Sequence, residues 1–292
     1  MGAQYMVRGK GDIAYQTLIA LFLIGISILS VFPILYVISV SITPFSEVIK
    51  HGGFMIIPRS VTFEAYRQLL TDPASLLPRA FGISAQVTAI GTTLNLVLTV
   101  LLAFALSKKG MPARSIMLFF IVFTMLFNGG MIPTYLIVKA TGLINTTWSL
   151  IIPSAVAAFN VLLMKSFFEN LPEELFESAH MDGASEWTQL IRIALPLSMP
   201  VMATVGLFYL VGHWNEFFHA ILYISNPELH PIQVVVRKML LSMQDVDSQA
   251  NAVPATTMRM AAVVLVSIPV IVVYPFLQKY FTQGMMLGAI KG

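Results

Sequence analysis

His213, Glu216 and His219 stand three residues apart in an apolar stretch, so a helix would set them on adjacent parts of one face. Two imidazoles and a carboxylate in that arrangement could hold a metal ion or relay a proton, and ionisable groups inside an apolar helix are functional candidates. The neighbouring sequence supplies no fourth ligand and no second carboxylate. The other histidines, His51, His180 and His230, form no H-E-x-x-H or similar pair. The chain has no cysteine, which excludes disulfides, thiol nucleophiles and thiolate metal sites. It also has no G-x-x-x-x-G-K-[ST] phosphate loop. The polar residues left in apolar surroundings are His213, Trp214, Asn215, Glu216, Asn95 and Asn160. They are candidates for lining a solute path through hydrogen bonds to hydroxyl groups. Locking one helix against another is the competing role, as it is for Thr88, Thr92 and Thr93.

A second polar feature lies between two long apolar runs: Glu169-Asn-Leu-Pro-Glu-Glu-Leu-Phe-Glu-Ser-Ala-His-Met-Asp-Gly-Ala184. Pro172 suits the first turn of a helix, where a missing amide donor costs nothing. Glu173 and Glu174 place negative charge at the positive helix end. Gly183 suits a left-handed cap, and Ser185 can start a second helix. Leu175, Phe176 and Ala179 form one apolar stripe; Trp187, Leu190, Ile191 and Ile193 form another before Pro196. The expectation is two short helices at an angle, greasy on one face and acidic on the other. Helices that lie on membranes are usually basic. An acidic one fits a protein partner better.

The elements that must hold these residues are membrane helices. The chain has 292 residues, 57% hydrophobic and 11% charged, against about 25% charged in a soluble domain. Its net charge of +3 gives no case for nucleic acid. A bilayer core about 30 Å thick needs about 20 apolar residues in a helix. Continuous rather than alternating apolar runs of that length are found at roughly 14–41, 80–106, 115–138, 147–168, 197–224 and 259–280. The first is too long for a cleaved signal and is read as a retained span. The expected fold is therefore an all-α integral membrane protein, a single transmembrane domain over 1–292 with six transmembrane helices. Lys and Arg divide almost evenly between the two sides. The short loop Ser107–Arg114, with three basic residues and no acid, argues for a cytoplasmic position. That sets both termini and the loop 169–195 in the cytoplasm. The stretches 42–79 and 225–258 become long outside loops, and Thr62 could cap a short helix in the first.

Glu177-Ser-Ala-His-Met-Asp-Gly-Ala184, closed by Leu195-Pro196, resembles the cytoplasmic coupling loop of ABC importer permeases, E-A-A-x-x-D-G-A followed by I-x-L-P. The likeness extends along nearly the whole chain to the carbohydrate branch, specifically the second permease of maltose-type systems. It is carried by Trp214-Asn-Glu-Phe217 and by the tail Gly284-Met-Met-Leu-Gly-Ala-Ile-Lys-Gly292. Phe127-Asn-Gly-Gly-Met-Ile-Pro133 is similar to the subgroup handling oligosaccharides and polysaccharide fragments, including acidic ones such as alginate. The resemblance implies a type I importer permease fold in a bacterial inner membrane. It implies no catalysis and no cofactor on this chain, ATP and Mg being used by a partner ATPase dimer. A second permease subunit and an extracytoplasmic sugar-binding protein are the other implied partners. Glu177, Ala179, Asp182, Gly183, Ala184 and Leu190 take the ATPase-coupling positions, with Ser178 in place of an Ala and Leu190 in place of a frequent Phe. Gln244, Asp245, Asp247 and Gln249 become the binding-protein contacts. The alternative is a proton-coupled secondary transporter of small polar solutes. Its coupling carboxylate would have to be Glu216.

Overall fold

The computed structural model describes residues 10–242 and 255–289. Every regular element among them is helical. In chain order these are α1 (Lys10–Ser41), α2 (Phe45–Lys50), α3 (Glu64–Thr71), α4 (Leu77–Ser107), α5 (Arg114–Leu126), α6 (Met131–Ala140), α7 (Ala158–Glu169), α8 (Glu173–Met181), α9 (Glu186–Gln189), α10 (Leu195–Leu197), α11 (Met199–Trp214), α12 (Phe218–Tyr223), α13 (Ile232–Ser242) and α14 (Ala255–Ala289). The chain divides into two compact units, residues 1–73 with 239–265 and residues 74–238 with 266–292.

Among the described residues, three helices are long and apolar enough to cross a bilayer unaided: Ala14–Ser41, Leu77–Ser107 and Thr256–Pro275. Three further spans are broken. Arg114–Leu126 meets Met131–Ala140 at 119°, Thr147–Ser154 meets Ala158–Glu169 at 50°, and Glu186–Leu197 meets Met199–Trp214 at 84°. Counting each bent pair as one crossing gives six. The stretches expected at 115–138 and 147–168 are thus interrupted, and 197–224 is bent at its start and loses its helix between Trp214 and Phe218; each bend has a local reason. In the first, Gly130 adopts φ +86° and the Asn128 side chain accepts from its amide at 2.8 Å. Pro153 precedes the second break, and Pro196 and Pro200 flank the third. The stretch 225–258 is no simple loop either. It contains α13, whose Ile232, Val234, Val235 and Val236 are buried.

In the first unit, α1 is exposed along its apolar length. Its end is tied down locally: Phe54 stacks on Phe32 and Tyr36, and the Tyr36 hydroxyl donates to the Gly53 carbonyl at 3.0 Å. Thr62 stands one residue before the cap of α3, which is Phe63, and its hydroxyl accepts from Glu64 N at 3.3 Å. In the second unit, α4 packs against α7 and α11. One apolar cluster joins Val100, Ala103 and Phe104 of α4 to Met164 and Phe168 of α7 and Val205 and Tyr209 of α11. Another gathers Val87, Val138, Leu150, Tyr223 and Val234. Lipid removes most of the hydrophobic drive between membrane helices, so packing and interhelical hydrogen bonds must fix them. Tyr209 shows how: its hydroxyl lies 2.7 Å from Thr99 Oγ1 and accepts from Ala157 N at 3.1 Å, joining α11 to α4 and to the start of α7.

Candidate functional site

The polar island folds as an elbow. Pro172 occupies the cap just before α8 rather than its first turn, and Glu173 and Glu174 follow in that turn, at the positive end of the helix. At the other end Ala184 N donates to Ala179 O at 2.9 Å and Gly183 N donates to His180 O at 3.0 Å. This is the paired bond pattern of a Schellman cap. Gly183 carries its left-handed residue, at φ +79°. Ser185 then caps α9, its Oγ accepting from Thr188 N at 3.3 Å. A π-helical turn over Leu190–Ala194 leads on toward α11. Gly183, Ala179 and Ala184 thus turn the chain through a tight corner using backbone bonds alone.

Glu177, Asp182 and Gly183 are exposed on the elbow, with Met181 and Trp187 exposed beside them. Ala179 and Ala184 are half-buried at the corner. Leu190, expected on the docking face, is instead buried in the apolar cluster with Val201 and Phe168. The helical repeat carries it inward once α9 runs on into the π turn.

The acidic face is partly spent within the chain. Glu186 pairs with Lys108 at 3.0 Å, Glu173 with Lys109 at 3.3 Å, and Glu169 with both Arg114 and Lys165. Lys108 Nζ also donates to Gln189 Oε1 at 2.9 Å and lies 4.8 and 4.7 Å from the ring centres of Phe104 and Phe176. The basic loop that the sequence offers as a topology signal is therefore also the elbow's electrostatic partner. Opposite charge was the only available clue. Between them runs an open groove of ≈ 830 Å³, lined by Phe104, Lys108, Phe176, Glu177, His180 and Gln189 among others.

The candidates for a solute path separate into two groups. Asn95, Asn160, His213 and Trp214 are buried in the bundle. Asn95 Nδ2 lies 2.9 Å from His213 Nε2 and donates to Ser154 O at 3.2 Å. With both amide hydrogens so used, His213 must accept at Nε2. The imidazole rests on Gly91, where a Cβ would come within 2.5 Å of Nε2. Trp214 donates through Nε1 to Val266 O at 3.2 Å and meets Phe81 edge-on. Asn215 and Glu216 lie beyond the end of α11, Asn215 exposed and Glu216 half-buried. The His–Glu–His face does not assemble, because the helix stops at Trp214. His213 turns into the bundle, while the Glu216 carboxylate accepts from His219 N at 3.0 Å and meets its Nδ1. Among the described residues, no cluster of His, Asp and Glu could hold a metal ion.

Further along, His230 is buried, bonded to Ile224 O at 3.2 Å and close to Lys238. Burial is the main cause that holds its pKa below the usual imidazole value. Gln244, Asp245, Asp247 and Gln249 lie outside the described residues.

Residues 80–287 match the family model described as binding-protein-dependent transport system inner membrane component. Protein LplC of Bacillus subtilis is 43% identical over 93% of this chain and 93% of its own length. The polygalacturonan/rhamnogalacturonan transport system permease protein YtcP of the same organism is 38% identical over 95% of this chain and 98% of its own. Among solved structures, a chain of a bacterial ABC transporter involved in the import of the acidic polysaccharide alginate superposes with a TM-score of 0.86. It is 32% identical, covering 94% of this chain and 98% of that one.

Proposed function

This chain belongs to the family of binding-protein-dependent transport system inner membrane components, and from that membership we propose that it is a permease subunit of an importer of oligosaccharides or polysaccharide fragments, acidic ones foremost. Two relatives support the substrate class: one permease whose printed substrates are polygalacturonan and rhamnogalacturonan, and one transporter whose printed substrate is alginate. The solute arrives from an extracytoplasmic binding protein. A second permease completes the path, and a separate ATPase dimer hydrolyses ATP with Mg.

The observation that carries the mechanism is the elbow: a corner fixed by its own backbone bonds and presenting Glu177, Asp182, Met181 and Trp187. It docks into the ATPase from the cytoplasm, with both chain termini on that side. Closure of the ATPase dimer on ATP moves the elbow, the spans pivot to open outward and accept solute, and hydrolysis resets them. Asn215 and Glu216 meet the solute. Asn95, Asn160, His213 and Trp214 hold the helices that form the path. Gln244, Asp245, Asp247 and Gln249 contact the binding protein.

Purification of this chain tests the reading, since it should bring down an ATPase and a second membrane subunit. Uptake of galacturonan-derived oligosaccharides should stop on ATP depletion. Uptake that survives ATP depletion but collapses with a proton ionophore would instead favour a secondary transporter coupled through Glu216.

A further inference from the structure

The two arms of the elbow reach the spans by different routes. The α8 arm joins α7 through residues 170–172, and the α9 arm runs through the π turn toward α11. Helix α4, which carries Asn95 and packs against both α7 and α11, has no such covalent link. Its last turn meets the elbow through apolar contacts, Phe104 against Phe176 at 6.4 Å between ring centres and in one cluster with Leu190, and its polar contacts with the elbow come from its C-terminal cap and the residue after it, Lys108 and Lys109.

These contacts are unequal. The Lys109–Glu173 pair is exposed on both sides, and such pairs hold little against water. The Arg114–Glu169 pair joins α5 to α7 and touches neither arm of the elbow. Lys108 touches both. It pairs with Glu186 and bonds Gln189 on the α9 arm, and it lies against Phe176 of the α8 arm while also covering Phe104 of α4. A cation held between two aromatic rings and a carboxylate is restrained from several directions. Gln189 is itself buried and donates to Ala184 O at the corner, so the restraint reaches the Schellman turn.

We propose that Lys108 is a positioning residue: apolar contacts seat α4 on the elbow, and the Lys108 cation, which holds both arms, makes movement of the elbow carry α4 with it. The inference rests on the reading that the elbow docks on the ATPase. Loss of the Lys108 charge leaves docking and ATP hydrolysis in place and separates them from the movement of α4.

The chain has no cysteine, so a single Leu76→Cys at the far end of α4, where the residue is 41% exposed, becomes a selective reporter. The complete complex in nanodiscs is labelled with a charged maleimide, with and without ATP and vanadate, and the rate is read on this chain. The parent should show a nucleotide-dependent labelling rate. Lys108→Met should keep at least about half of the ATPase activity and shrink the nucleotide response by about fivefold or more. Lys108→Arg, which preserves the cation over the rings, should respond like the parent. A full response in Lys108→Met overturns the proposal, as does an equal loss in the Met and Arg variants. Should Lys108→Met fail to assemble, Glu186→Gln decides. A reduced response with intact ATPase supports the proposal, and an unchanged response overturns it. A parent that assembles with the ATPase yet never responds to nucleotide removes the docking reading itself, and no Lys108 variant is needed to see it.

Discussion

The elbow at 169–195 and the buried node around Asn95 and His213 are both polar islands in an apolar chain, yet they use their polar atoms in opposite ways. The elbow satisfies its backbone through the Schellman turn and the Ser185 cap. That leaves the carboxylates of Glu177 and Asp182 on its surface. The node turns its side chains inward, Asn95 through its amide nitrogen to His213 and to Ser154 O, and the one Asn95 atom left over, Oδ1, is itself buried. A polar residue in a membrane protein is therefore not by itself a mark of contact with solute. What distinguishes the two regions is which atoms remain after the internal bonds are made.

The comparison breaks most easily at Gly183. Proline there cannot adopt φ +79° and removes the amide that donates to His180 O. Strain of about 3 kcal/mol or more in the corner should reduce uptake by about 100-fold with the chain still inserted, as read by transport assay beside membrane fractionation. Wild-type uptake in Gly183→Pro would remove the elbow's mechanical role.

Next in size is Gly91→Ala. Its new Cβ meets the His213 ring at 2.5 Å between closely packed helices. Overpacking of this kind costs about 1–3 kcal/mol, which should appear as a lower unfolding temperature in detergent. The double change Gly91→Ala with His213→Ala should recover part of it. No recovery would show that the ring is not the obstacle.

Asn95→Leu comes third. Interhelical hydrogen bonds in membranes are worth about 0.6 kcal/mol on average and up to about 1.7, so stability should fall modestly while the choice among transported solutes stays the same. A changed solute preference would move Asn95 from the scaffold to the path.

Smallest is Glu173→Gln, which loses the exposed pair with Lys109 and one exposed charge at the start of α8. Uptake should change by less than about twofold. Set beside Glu177→Arg, which should reduce ATPase co-purification by about tenfold, it separates acids bound within the chain from acids offered to a partner.

The elbow was legible from sequence because its code is local. Proline, paired glutamates, glycine and serine specify a helix, a corner and a second helix within a few residues. The six apolar stretches were legible by length, but the breaks within them were less so. Hydropathy counts apolar residues without sensing the axis, and the turn at Asn128–Gly130 reverses direction with little change in composition. The pairing of Lys108 with Gln189 and of Lys109 with Glu173 spans 81 and 64 residues, and no periodicity reports contacts at that range. Leu190 was misjudged for a related reason. Its apolar character identified a contact, but only the π turn after α9 decided that the contact lay inside the protein.

The close fit of the His213 ring against Gly91 also limits how this permease can be recombined with its relatives. A chimera whose crossover falls between residues 91 and 213 takes the notch from one parent and the ring from the other. Unless the second parent also leaves that position without a side chain, the hybrid collides with itself at 2.5 Å. Segment exchanges intended to alter solute choice should therefore move the two positions together.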